Sequence, residues 1–124
     1  MAKILLVEDD KFLRDLIVKK LKIQNYEVSE AINGEESLKK AKEEKPNLIL
    51  LDLVLAGMDG FEILKRLKID PDTSKIPVVI MSNLGQRDDI EKCQQLGAAD
   101  FLIKAKLNLG DIAGKIESLL NNKE

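Results

Sequence analysis

Leu48-Ile49-Leu50-Leu51-Asp52 constrains the fold of this chain more than any other stretch: four aliphatic residues end in a carboxylate. Lys45-Pro46-Asn47 breaks the chain before the run, and Gly57 and Asp59-Gly60 give turn signals after it. A short apolar run bounded by breakers reads as a strand buried on both faces, the kind found in parallel sheets. Burying an unpaired charge inside such a strand is costly, so Asp52 is expected where the strand leaves the core, at its C-terminal end. In open α/β sheets that edge is where ligands bind. Taken alone, Asp52 reads as the start of a turn; the other strands decide against that.

Ile4-Leu5-Leu6-Val7 is a second such run, and it too ends in acids, Glu8-Asp9-Asp10. Between Lys11 and about Gln24, Leu13, Leu16, Ile17 and Leu21 fall at helical spacing. Tyr26 to Ala31 alternates like an edge strand, and Asn33-Gly34-Glu35-Glu36 opens a helix that carries Leu38 and Ala41 and stops before Pro46. Asp59-Gly60-Phe61-Glu62 repeats that capping pattern ahead of Ile63, Leu64 and Leu67. After the polar loop Asp70 to Lys75, Pro77-Val78-Val79-Ile80-Met81 is another buried strand and ends at Ser82-Asn83. A helix from about Arg87 to Leu96 closes on Gly97. Asp100-Phe101-Leu102-Ile103 is the last strand, ending at Lys104, and Asn108 to Asp111 caps a final helix with Ile112, Ile116, Leu119 and Leu120.

Strand and helix thus alternate five times, which predicts an α/β fold with a doubly wound parallel sheet, (βα)5, in one domain over residues 1–124. Five units without a Gly-rich fingerprint favour the flavodoxin-like strand order 2-1-3-4-5 over the six-stranded dinucleotide fold.

Composition narrows the chemistry. The formal net charge of −2 argues against a nucleic-acid grip, which needs a basic face. Histidine is absent, which removes Ser-His-Asp and Cys-His catalysis and His-ligated zinc. Cys93 is the only cysteine, so there is no internal disulfide and no CxxC motif. The apolar runs are far short of the roughly 20 residues that span a bilayer. Met1-Ala2-Lys3-Ile4-Leu5-Leu6-Val7 is too short for a signal peptide, so a cytoplasmic location without a membrane partner is expected.

The strand ends form a set. In the 2-1-3-4-5 order the first and third strands are neighbours, about 5 Å apart, so Glu8, Asp9 and Asp10 converge on Asp52. Like charges that close take up a proton or hold a cation between them. A hard divalent ion on one or two carboxylates, with room for a phosphate oxygen, is how Mg²⁺ is usually bound. Ser82 adds a hydroxyl and Lys104 a positive charge, expected on the far side of Asp52. Acids, cation, ammonium and hydroxyl suit a transferring phosphoryl group, with Asp52 as the nucleophile.

With these residues in hand, the chain resembles the receiver domains of two-component response regulators over essentially its whole length. The likeness is carried by Ile4 to Asp10, by Asp52-Leu53 with Gly57 to Glu62, by Ile76 to Ser82, and by Gly97 to Lys104. The resemblance implies that Asp52 is phosphorylated by a histidine kinase or histidine phosphotransfer protein. It implies that Asp9, Asp52 and the Val54 carbonyl hold Mg²⁺, with Glu8 acting through water, and that Ser82 and Lys104 bind phosphoryl oxygens. Ser82 and Phe101 would form the switch that reports the phosphorylated state; periodicity alone makes Phe101 a core residue. The donor is expected to dock over the first helix, where Lys11, Phe12, Arg14 and Asp15 lie off the core stripe, and over the loop after the fifth strand. Output is expected through docking to a downstream protein or onward phosphate relay, by a monomer or a weak phosphorylation-dependent dimer. The chain departs from the family at Ala56 and Ala105, where proline is usual, and at Asn83, where Ala or Gly is preferred. Without proline, the Lys104–Ala105 bond is expected to be trans, because a cis bond before alanine costs about 2.5–4 kcal/mol.

Three other readings fit less well. Aspartyl phosphatases of small molecules commonly carry the nucleophile after the first strand with a second Asp two residues on, whereas here the candidate follows the third strand and position 54 is Val. A flavodoxin-like cofactor binder would hold an anion after its first strand, where Glu8-Asp9-Asp10 would repel it. An inactive scaffold would have no use for the intact acid set, Ser82 and Lys104.

Overall fold

The computed structural model describes residues 1–55, 57–83, 86–106 and 108–121. Alternation of strand and helix runs from the first residues to the last: β1 (Lys3–Val7), α1 (Lys11–Ile23), β2 (Glu27–Ala31), α2 (Gly34–Glu44), β3 (Leu48–Asp52), α3 (Gly60–Ile69), β4 (Val78–Ser82), α4 (Arg87–Gln95), β5 (Asp100–Ile103), a 3₁₀ turn (Lys104–Lys106) and α5 (Leu109–Asn121). The strands form one parallel sheet in the order β2-β1-β3-β4-β5, the flavodoxin-like arrangement.

Because side chains alternate across a strand, each aliphatic run feeds two cores. Leu5, Val7, Ile49, Leu51, Val78 and Ile80 meet Ala41 of α2, Ile63, Leu64 and Leu67 of α3, and Cys93 of α4. Ile4, Leu6, Leu48, Leu50, Val79, Met81 and Leu102 meet Ile17, Val18 and Leu21 of α1 and Ile112 and Ile116 of α5. Burial on both faces explains why β3 has no polar residue before Asp52.

The helix starts follow their caps. Asn33 Oδ1 accepts from the Glu36 N–H at 2.9 Å, and Glu36 reaches back to the Ile32 N–H at 2.8 Å. Asn108 and Asp111 cap each other's N–H groups at 2.9 and 3.1 Å. At α3 only half of the expected box forms: Asp59 accepts from Phe61, but Glu62 turns forward to Arg66 at 2.9 Å. An i,i+4 ion pair outcompetes the backward bond there.

One expectation is corrected. The helical spacing puts Leu16 on the core stripe of α1, but it is 38% exposed, and Val18 is buried in its place. Both are apolar, and the stripe that meets the sheet runs through Leu13, Ile17, Val18 and Leu21. Asp52 stands at the C-terminal end of β3, as expected, and is buried there. Its charge is tolerated there because it is paired. The Lys104–Ala105 bond is trans, since no peptide bond among the described residues is cis. Ala56 lies outside the described residues, as does Leu107 in the loop after Ala105.

Candidate functional site

The site is assembled at strand ends. Counting on by two from Leu6 reaches Glu8, from Leu50 reaches Asp52, and from Leu102 reaches Lys104; all three starting residues face α1 and α5. Asp52 ends β3, and Glu8 and Lys104 are the first residues past β1 and β5, so the three charged side chains meet at the C-terminal edge of the sheet.

Lys104 Nζ lies 2.9 Å from Asp52 Oδ2 and 2.8 Å from Glu8 Oε1, with the ammonium end of the chain largely shielded from solvent. The sequence puts the Lys104 charge on the far side of the site but within reach of Asp52; it reaches Asp52 and closes on Glu8 as well. At 2.8 Å the Lys104–Glu8 contact is a close ion pair with Glu8 Oε1. Glu8 Oε2 accepts from the Asp10 N–H at 3.1 Å, and Asp52 Oδ1 accepts from the Val54 N–H at 3.1 Å. Asp10, counted with the acids in the sequence, is committed locally: it caps α1 by accepting from the Leu13 N–H at 3.2 Å.

Burial pushes the Glu8 carboxyl above the usual range, and the Asp52 charge adds to it, against the pull of Lys104 and the Asp10 N–H. Burial acts to lower the Lys104 ammonium, but Glu8 and Asp52 outweigh it and its pKa is raised. The Lys104 shift reports the negative charge around it, whereas that of Glu8 reports burial first. Carboxylate oxygens of Glu8, Asp9 and Asp52 lie within 4.8 Å of one another. Three carboxylates against one ammonium leave two formal negative charges. This donor set of hard oxygens fits a divalent cation such as Mg²⁺.

A pocket of ≈ 300 Å³ opens over these groups, with Asp9, Asp52, Val54, Ser82, Asn83 and Lys104 in its wall. Val54 stands 58% exposed at its mouth. Ser82 is buried at the end of β4. Phe101 is not in this wall; it is half-buried against the core under α2, α3 and α4, opposite Ile80 in the register. Ser82 and Phe101 share that face by parity, since Ser82 lies two residues beyond Ile80.

Helical spacing puts Arg14 off the core stripe of α1. Its side chain is only 14% exposed and points inward, donating from Nη1 to the Glu8 carbonyl at 3.0 Å and from Nε to Glu30 Oε1 at 3.1 Å. The signal for it was present: a long basic residue one turn beyond the α1 cap, beside three consecutive acids. Phe12, by contrast, is 76% exposed.

The family model of the response regulator receiver domain matches residues 4–117. This chain belongs to that family. It is 43% identical over 103 residues to Response regulator PleD of Caulobacter vibrioides, covering 83% of this chain but only 23% of that relative. It is 38% identical over 102 residues to Sporulation initiation phosphotransferase F of Bacillus subtilis, covering 82% of this chain and 81% of the relative. Among solved structures it resembles the Mn²⁺-bound form of response regulator Rcp1, with a TM-score of 0.81 and 32% identity over 96% of this chain and 91% of the other. Receiver domains are signalling switches rather than classical enzymes, and they interact with histidine kinases or phosphotransfer proteins. No described helix is long and apolar enough to cross a membrane.

Proposed function

We propose that this chain is a phosphoryl-accepting switch in which Asp52 takes a phosphoryl group from a partner's phosphohistidine. The observation that carries the reading is the joint position of Asp52, Glu8, Asp9 and Lys104 at one mouth of the sheet, with a pocket above them. Asp52 attacks phosphorus with a carboxylate oxygen, the bond from phosphorus to the donor nitrogen breaks, and the nitrogen leaves with that electron pair. The product is an acyl phosphate on Asp52. The donor histidine must come from the partner, since this chain has none.

Glu8, Asp9 and Asp52, with the Val54 carbonyl, are the residues that would hold Mg²⁺, and Glu8 would act through water. When bound, Mg²⁺ neutralises charge on the phosphoryl oxygens. Lys104, fixed by Asp52 and Glu8, is placed to pair with a phosphoryl oxygen, and Ser82 to donate a hydroxyl to another. Loading Asp52 with phosphate withdraws an acceptor from Lys104 and adds charge beside Ser82. We assign the readout to Ser82 and Phe101, which share a sheet face leading away from the site. The donor docks over α1, where Phe12 is exposed among charges. Residues 1–124 act as one receiver unit, placed in the cytoplasm with its kinase. Its output passes to a downstream protein, by a monomer or a weak phosphorylation-dependent dimer.

Incubation with acetyl phosphate and Mg²⁺, followed by intact mass measurement, tests the reading. A single phosphoryl adduct is expected, and it should vanish in Asp52→Ala and without Mg²⁺. An adduct that persists in Asp52→Ala overturns the assignment.

A further inference from the structure

We propose that Arg14 is a positioning residue for the cation site, acting through the Glu8 carbonyl to aim Asp9. This rests on the reading that Glu8, Asp9 and Asp52 hold a divalent cation.

Glu8 is held through its main chain as well as its side chain. Its N–H donates to the Ala31 carbonyl of β2 at 3.0 Å, and its Oε2 accepts from the Asp10 N–H. The remaining main-chain group, the carbonyl, accepts from Arg14 Nη1 at 3.0 Å. That carbonyl belongs to the peptide unit joining Glu8 to Asp9, and a peptide unit is planar. Fixing the oxygen of the plane therefore fixes where the Asp9 Cα leaves it. Asp9 is exposed and follows the end of β1, so the sheet ladder does not hold it. Arg14 is directed in turn: Glu30, on the edge strand, accepts from Nε at 3.1 Å and sets the plane of the guanidinium. The path runs Glu30, Arg14, Glu8 carbonyl, Asp9, and Arg14 touches neither the cation oxygens nor the nucleophile.

Charge predicts the opposite sign to positioning, and this separates the two. Arg14 is a cation near an acid cluster, so deleting its charge should tighten a divalent ion by simple electrostatics. If Arg14 positions Asp9, deletion loosens it. Residues that orient the oxygens around a metal typically change affinity by about 10- to 100-fold when removed. A role confined to tying α1 to β1 and β2 would lower thermal stability and leave the affinity of the folded protein unchanged or tighter.

The probe is Mn²⁺, with the free ion counted by electron paramagnetic resonance and Mg²⁺ added as competitor. Arg14→Met is expected to raise the Mn²⁺ dissociation constant about 10-fold. Arg14→Lys keeps the charge but loses the guanidinium fork between Glu8 and Glu30, so electrostatics predicts no change and positioning a smaller rise. It also serves if Arg14→Met does not fold. Wild-type or tighter affinity in Arg14→Lys, or in folded Arg14→Met, overturns the proposal. Asp9→Asn is the control. If Asp9→Asn binds Mn²⁺ like wild type, the cation reading fails and this inference with it. If Asp9→Asn loses binding and the other two do not, only the role of Arg14 fails.

Discussion

Lys104 Nζ sits 2.9 Å from Asp52 Oδ2, a contact between residues 52 positions apart that closes the β5 end of the sheet over the end of β3. Because the same ammonium lies 2.8 Å from Glu8, it occupies ground between two carboxylates that a divalent cation also seeks. The protein carries its own counter-charge, and metal and lysine share the same acids.

Lys104→Met should therefore change metal response and chemistry in opposite directions. Removing one partner of a largely buried pair leaves uncompensated carboxylates and should cost about 3 kcal/mol without metal. The relieved acids should then bind Mg²⁺ more tightly, so the rise in Tm on adding Mg²⁺ should exceed that of wild type. Phosphorylation by acetyl phosphate should still fall, because the group that meets the phosphoryl oxygen is gone. Paired thermal melts with and without Mg²⁺ decide it; an equal or smaller rise contradicts the shared-acid picture.

Gly60→Ala should be among the most disruptive single-methyl changes in the chain. A Cβ at Gly60 would stand 2.4 Å from the Leu53 Cα and 2.5 Å from the Leu53 carbonyl oxygen. The Gly60 N–H donates to that same carbonyl at 3.0 Å. Neither side is a flexible side chain, so the β3–α3 connection must open, at a cost of about 3 kcal/mol. The connection includes Val54, so cation affinity should weaken as well. Urea denaturation with an unchanged midpoint would refute the steric argument.

The sheet was legible because its signal is redundant: β1, β3 and β4 are apolar runs that end in polar groups, β2 alternates like an edge strand, and the ends of the runs send Glu8, Asp52 and Lys104 to one edge. The Asn33 and Asn108 caps were legible for a similar reason, since a cap is a local bond with a fixed spacing. What sequence missed depends on long side chains choosing among partners. Lys104 has reach enough for either side of Asp52, and only the β1–β3 register brings Glu8 within its range. Arg14 looks like any basic residue on an amphipathic helix until β2 places Glu30 beside it. Glu62 had two competent partners and took the one in its own helix.

Phe12→Ala should separate docking from chemistry. With the ring 76% exposed, its removal should alter stability by less than about 0.5 kcal/mol. The rate of phosphorylation by acetyl phosphate should not change, because the small donor needs no docking surface. Transfer from a phosphorylated histidine phosphotransfer protein should slow. Unchanged transfer from the protein donor would remove Phe12 from the docking face.

Cys93 supplies a pH test far from the site. The thiol is free and fully buried on α4, in the core shared with Ile80, Leu64 and Leu67. Burial, with the charge of Asp89 adding and Lys92 opposing, pushes its pKa from 9.0 up to about 11. The folded state thus keeps the thiol proton over a range in which the unfolded chain has lost it. Where the folded state binds more protons than the unfolded, stability falls as pH rises. The contribution is complete below pH 9.0 and drains away toward about 11. All other ionisable groups are common to wild type and Cys93→Ala. Cys93→Ala should be the less stable protein at about pH 8, because the sulfur leaves a cavity. The gap between the two should narrow steadily by about pH 10, as only wild type carries the thiol. Urea midpoints measured side by side across that range check it. A gap that holds constant or widens would mean that Cys93 ionises as easily in the folded protein as in the unfolded one.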